Sequence, residues 1–287
     1  MSSSSSPTAA YPKNAAGFVV APQAEVTAVE KVVVVYRWIV IATVMSLIWK
    51  ASYFPLAYGL YAQLQLVDSF FPSIMRSHEL LVLLIGLPVT LGLATIVFSN
   101  RILFRVQAIA MALGMAGLCW HQGSYNDVTF LTCFWVSLWM IWFTFSMDQP
   151  IEQLLPKARV SAILIVSLMF LGGAVGKLTP GYWSGEVLYQ IYFVDRDFWF
   201  FNLLRGYLEP SALRSFATGY SRMVIITESA CAFLWLLPPR VAGILALVTF
   251  SGIVVFSNFN LLSVMCCLLG LCGVAIYRPS DSTRTSL

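Results

Sequence analysis

Apolar residues in this chain gather into long stretches separated by short polar connections. An apolar helix of about 17–25 residues, rising 1.5 Å per residue, spans the roughly 30 Å of bilayer hydrocarbon. Eight stretches meet or approach that length, roughly 33–53, 80–98, 102–121, 128–147, 159–178, 220–237, 241–257 and 260–277. The pattern predicts an all-α polytopic membrane helix bundle of about eight spans, filling residues 32–278. The last two stretches are short and are joined by Ser257-Asn258-Phe259-Asn260, so they form either two spans or a hairpin that stops short of the far interface. Pro88 and several glycines fall inside apolar runs, which membrane helices tolerate when neighbours re-satisfy the backbone.

Residues 187–208 break the pattern. Aromatics and charges alternate there too densely for a span, yet the stretch is too apolar for a solvated loop. Amphipathic rings settle at headgroup depth, so one or two short helices on the outer membrane interface are expected.

Composition agrees. The 287 residues are 59% hydrophobic and 10% charged, with a mean hydropathy of +0.80. A soluble domain is about 25% charged. The net charge of +4 comes with no basic stripe interleaved with aromatics, which argues against nucleic-acid binding and leaves the lipid bilayer as the main partner. All six cysteines fall inside predicted spans without metal-ligand spacing and read as packing residues; no metal is expected. Residues 1–31, rich in Ser, Ala and Pro, lack the basic start and apolar stretch of a signal peptide and read as a disordered cytoplasmic tail, with a second short tail at 279–287.

Cytoplasmic loops carry the excess of Lys and Arg. With the N-terminus inside, ten cations fall inside (Lys13, Lys31, Arg37, Arg101, Arg105, Lys157, Arg159, Arg240, Arg278, Arg284) and seven outside (Lys50, Arg76, Lys177, Arg196, Arg205, Arg214, Arg222). Both termini are expected in the cytoplasm and the long 179–219 connection outside.

An ionisable group in hydrocarbon costs at least about 2.5–3.5 kcal/mol, so each asks for a reason. Glu228 lies eight residues into its predicted span, about 12 Å deep. It is either a proton-handling or substrate-facing carboxylate or a neutral or paired group that joins helices. Lys177 ends the fifth span, either as a snorkelling cation or as a base whose pKa desolvation lowers. Glycines at 172, 173 and 176 would bring a backbone or ligand close to it. His121 and Asp127 flank an outer turn, where the first can be merely interfacial and the second an N-cap. Asn258 and Asn260 can likewise simply cap the last hairpin. All of these sit in the outer half of the bundle, which points to one polar cavity opening outward. No soluble-enzyme motif is present.

Four stretches carry a family likeness: Tyr36-Arg37-Trp38-Ile39; Ser124-Tyr125-Asn126-Asp127; Gly173-Ala174-Val175-Gly176-Lys177-Leu178 with Trp183 and Gly185; and Glu228 followed by Leu236-Leu237-Pro238-Pro239-Arg240. In order and spacing, from about 33 to 277, they resemble the HTTM family. That family is the transmembrane domain shared by vitamin K-dependent γ-glutamyl carboxylase and many bacterial proteins, including the sporulation-delaying protein B type. The resemblance implies that Lys177 stands where the carboxylases keep the base that deprotonates reduced vitamin K. Glu228 joins it as the second catalytic candidate, with His121, Asn126, Asp127, Trp183, Asn258 and Asn260 as candidate binding residues. Asp127 replaces a carboxylase histidine, and the chain ends at Leu287 without the extracytoplasmic β-rich domain, so the scaffold is expected without carboxylation.

The leading expectation is thus an accessory to peptide maturation, export or immunity in a bacterial cytoplasmic membrane. Its alternatives are a membrane enzyme acting on a quinone-like or other lipophilic small molecule with Lys177 as base, and a transporter. No cofactor is named by the residues themselves.

Overall fold

The computed structural model describes residues 20–52, 70–195, 198–256 and 261–278. Among these there is no strand. Five long helices come first: α1 (Val20–Ala51), α2 (His78–Val97), α3 (Arg101–Trp120), α4 (Val128–Ser146) and α5 (Ile151–Lys177). Three short ones follow, α6 (Pro180–Trp183), α7 (Glu186–Tyr189) and α8 (Trp199–Tyr207), then α9 (Pro210–Cys231), α10 (Pro239–Phe256) and α11 (Leu262–Ile276). Side chains fix several helix starts. Ser77 accepts from the Leu80 N–H, Asn100 from Ile102 and Leu103, and Asp127 from Thr129, each satisfying donors that have no partner in the first turn.

α1 packs against α2, α4 and α11, and α11 also meets α5 and α10. The shared core holds Tyr36, Ile39, Val40 and Leu47 of α1, Met111 and Met115 of α3, Met140 and Phe143 of α4, and Cys267 and Leu271 of α11. The outward faces are apolar too, with Leu83, Leu87, Leu113, Ile226, Ile244 and Val248 exposed. A helix apolar on every side belongs in a membrane or a large core. Among the described residues, six helices are long and apolar enough to cross a membrane: Glu30–Ala51 of α1, then α2, α3, α4, α5 and α10. This fits an integral multi-pass membrane protein.

Two of the eight expected spans differ from that set. α11 is apolar but has only 15 residues. The 220–237 stretch is not one helix. α9 begins ten residues earlier, in the polar run Pro210-Ser-Ala-Leu-Arg-Ser, and ends at Cys231, before a tight turn at Leu234–Leu236. The Trp235 N–H in that turn donates to Ser167 Oγ, 3.1 Å away, and Pro239 then opens α10, where its missing N–H costs no helical bond. α1, for its part, starts at Val20, inside the stretch read as a tail.

The segment 180–220 folds as a cap with a core of its own. Leu188, Phe193, Phe201, Leu213 and Ala217 are buried together, ringed by Tyr189, Tyr192, Phe198, Phe200 and Tyr220. A wide-turned π segment, Gln190–Asp195, joins α7 to the stretch before α8. Trp199 Nε1 donates to the Val255 carbonyl at 2.8 Å and ties the cap to α10.

Candidate functional site

Lys177 and Glu228 meet. α5 carries Lys177 in its last turn, α9 packs alongside, and Nζ donates to Glu228 Oε2 at 2.6 Å. The ammonium also donates to the Gly173 carbonyl one turn below, at 3.3 Å. A side chain at Gly173 would place its Cβ 3.0 Å from Glu228 Oε2, so glycine here lets the α5 backbone lie against the carboxylate. The Glu228 side chain is 9% exposed and that of Lys177 25%. Burial of this kind is tolerable only for a paired charge.

The pair borders a cavity of about 230 Å³. Its other walls are Tyr182 from α6, Leu188 from α7, Ile191 and Tyr192 from the π segment, Tyr220, Ser221 and Val224 from α9, Ile253 from α10 and Leu261 just before α11. Two charges and the Ser221 hydroxyl share a chamber otherwise lined by tyrosines and aliphatic groups. Such a site suits a molecule that is apolar over most of its surface and polar at one end. Two of the three ammonium donors are engaged by Glu228 and Gly173, which leaves one for a ligand.

α9 also holds the cap in place over this chamber. Thr218 Oγ1 donates to the Ser184 carbonyl (2.7 Å), Ser221 Oγ to the Tyr182 carbonyl (2.5 Å) and Arg222 Nε to the Trp183 carbonyl (3.2 Å). Gly185, at φ +82°, makes the turn between α6 and α7 that aims these carbonyls at α9.

The other expected residues that are described do not line the chamber. Trp183 is exposed, with the Arg222 guanidinium 5.4 Å from its ring centre. His121 is 1% exposed in a separate turn, where Nδ1 accepts from the Gly123 N–H (3.0 Å). The ring proton therefore sits on Nε2, which donates to the Ser77 carbonyl at 2.9 Å. Burial lowers the His121 pKa, the Ser77 bond opposes this and neighbouring His78 adds to it. His121 is thus a neutral clasp between the α2 and α3 ends. Asn126 adopts φ +55°, a left-handed conformation that asparagine reaches more readily than most residues, and is exposed. Asp127 caps α4 and forms a 2.5 Å ion pair with Lys50 at the end of α1. Asn258 and Asn260 lie outside the described residues. For the described groups, the single polar cavity expected from sidedness is two separate clusters, one at Lys177 and Glu228 and one at His121 and Asp127.

Sequence reading missed Tyr182, Tyr192, Tyr220, Ser221 and Val224. A signal for part of this set was present: Ser221, Val224 and Glu228 are spaced by three and four, the repeat of one helix face. The buried cysteines behave as packing residues, with Cys133 and Cys267 in sulfur contact at 3.2 Å between α4 and α11. Among the described residues, no group of three or more His, Cys, Asp and Glu could hold a metal ion. Compared with known families, curated proteins and solved structures, the chain has no match.

Proposed function

We propose that this chain is a multi-pass membrane protein of the HTTM kind that holds a lipid-soluble, amphiphilic small molecule, quinone-like in character, between the Lys177–Glu228 pair and the tyrosines of the cap. In this reading it serves peptide maturation, export or immunity as an accessory rather than as a carboxylase. The observation that carries it is the charged pair in the wall of a chamber of about 230 Å³ lined, apart from Ser221, by tyrosines and aliphatic side chains. An apolar chamber with a few convergent polar groups is the usual form of a small-molecule site. The test is chemical. The full chain, purified in mild detergent, is extracted with organic solvent and the extract compared with that of Val224→Trp, which fills the chamber. A lipophilic compound enriched with the wild type and lost from the variant is the expected result; identical extracts would remove the reading.

Orientation belongs to the same proposal. Both termini lie in the cytoplasm, the cap and chamber face outward, and α6–α8 rest at the outer interface. α9 enters the membrane with its apolar C-terminal half, and α11 makes a short pass. A cysteine at Ser184 is then expected to react with an impermeant thiol reagent in intact cells above the level of the parent chain, whereas one at Ser282 is not. The reverse pattern would invert the topology.

One observation favours a second reading, a membrane enzyme with Lys177 as base. The 2.6 Å contact places a carboxylate within direct proton-transfer reach of Nζ, and a base reading requires that the lysine first hand its proton to Glu228. The amine could then take a proton from a bound acidic substrate, with Glu228 holding the first.

A further inference from the structure

A different group of charges gathers at the other end of the bundle. α5 runs from Ile151 to Lys177, so the 18 residues from Arg159 to Lys177 separate the two regions by about 27 Å. Near that far end, Lys31 of α1, Glu152 and Arg159 of α5, Arg240 of α10 and Arg278 just after α11 line an open groove of about 380 Å³. Four cations face one carboxylate.

These cations have no acid partner among the described residues. The salt bridges found elsewhere join Lys50 to Asp127, Arg101 and Arg105 to Asp148, and Lys177 to Glu228. Among the described residues, none links Lys31, Arg159, Arg240 or Arg278 to an acid, and Glu152 itself is unbridged. Arg105, at the same end, has Asp148 as an acid partner, although its buried Nε, like that of Arg159, has no hydrogen-bond partner. Arg159 is fixed on one side only. An Nη donates to the Tyr277 carbonyl at 2.5 Å, while the buried Nε has no hydrogen-bond partner. A buried donor left without a partner costs about 1–3 kcal/mol. Its presence beside three more cations calls for an anion that brings several acceptor oxygens.

We propose that this groove binds a phosphate group, presented either by an anionic phospholipid or by a soluble phosphate ester. A tetrahedral oxyanion matches three guanidinium forks and an ammonium better than a single-point anion does. The first turns of α5 and α10 lie at the same groove and add the positive ends of two helices. Ile151, Leu155 and Pro156 supply an apolar wall beside the cations, which suits the glycerol and first methylenes of a lipid and gives a soluble phosphate nothing. This site is independent of the Lys177 chamber, and only its lipid arm rests on the membrane placement proposed above.

The experiment uses the purified full chain in neutral detergent. Binding is followed by native mass spectrometry and by thermal unfolding with added phosphatidylglycerol, phosphatidylcholine, inorganic phosphate or glycerol phosphate. Phosphatidylglycerol is expected to bind saturably and to raise the unfolding temperature, phosphatidylcholine not. Arg240→Gln and Arg278→Gln, both at exposed positions, are each expected to weaken phosphatidylglycerol binding about tenfold, the scale of a lost charge-assisted hydrogen bond. Lys157→Gln removes the same charge from the same end outside the groove and is expected to leave binding unchanged. If inorganic phosphate or glycerol phosphate binds as tightly and with the same dependence on Arg240 and Arg278, the phosphate site stands and its source is soluble. If Lys157→Gln weakens binding as much as the arginine changes, or no phosphate-bearing probe binds saturably, the groove is only part of a basic surface and the proposal falls.

Discussion

Gly185→Ala is expected to destabilise the cap by about 2–5 kcal/mol and to empty the chamber beside Lys177. Two effects add. At φ +82°, a Cβ crowds the following carbonyl, which costs an L-residue about 1–2 kcal/mol. The new methyl would also lie 2.5 Å from both Cα and N of Thr218 and 2.8 Å from the carbonyl carbon of Ala217. Those are backbone atoms of α9 and cannot rotate aside, so α6 and α7 must back away. The hydrogen bonds from Thr218, Ser221 and Arg222 to the carbonyls of Ser184, Tyr182 and Trp183 would stretch together. Tyr182 and Leu188, two walls of the chamber, would move with them. Gly206→Ala in α8 is the control, because a Cβ there meets nothing within 4 Å and alanine favours the helix. Thermal unfolding in detergent and the solvent extract measure both consequences. A Gly185→Ala chain with wild-type stability and an unchanged extract would mean that the α6–α7 turn does not sit on α9 in this way.

The helices were legible because little besides a membrane accommodates so many bilayer-length apolar runs in one chain. A cap was one of the two readings open for Asp127, and Lys177 and Glu228 stood out as groups in costly surroundings, from residue type and depth alone. Their partners were not legible. Lys177 and Glu228 are 51 positions apart, and His121 reaches Ser77 across 44. Local pattern measures the penalty of burying a group, whereas the identity of its partner depends on which helices pack together. The apolar stretch 220–237 misled for a related reason. Averaged hydropathy saw Met223 to Leu237 and gave little weight to the polar first half of α9 or to the turn at Leu234–Leu236 that follows its end at Cys231. Nor could composition distinguish a dispersed basic end from four cations held in one groove.

Changing Glu228 to leucine is expected to remove ligand binding and to cost the fold about 3–5 kcal/mol, the scale for breaking a buried ion pair by deleting one partner. The lower part of that range applies, since the Lys177 side chain keeps 25% exposure and can draw water. Glu228→Gln retains an acceptor facing Nζ and leaves the cation only partly compensated, so its loss should be clearly smaller. The double change Lys177→Gln with Glu228→Gln is expected to cost less than the two single changes added together, because it leaves no lone charge behind. A coupling of about 0.5–3 kcal/mol is ordinary for residues in contact. Lys177→Arg then separates the two roles open to the lysine. Arginine keeps a positive charge next to Glu228 but is not deprotonated in proteins, so it cannot give the neutral amine that a base requires. If the chamber only binds, Lys177→Arg should still carry the lipophilic compound in its extract, with affinity changed by the fork geometry rather than abolished. If Lys177 takes a proton from the bound molecule, the arginine chain should hold that molecule but fail to convert it, and the unconverted form should accumulate in the extract. An extract matching the wild type in both amount and composition would leave Lys177 a counter-charge for Glu228 and nothing more.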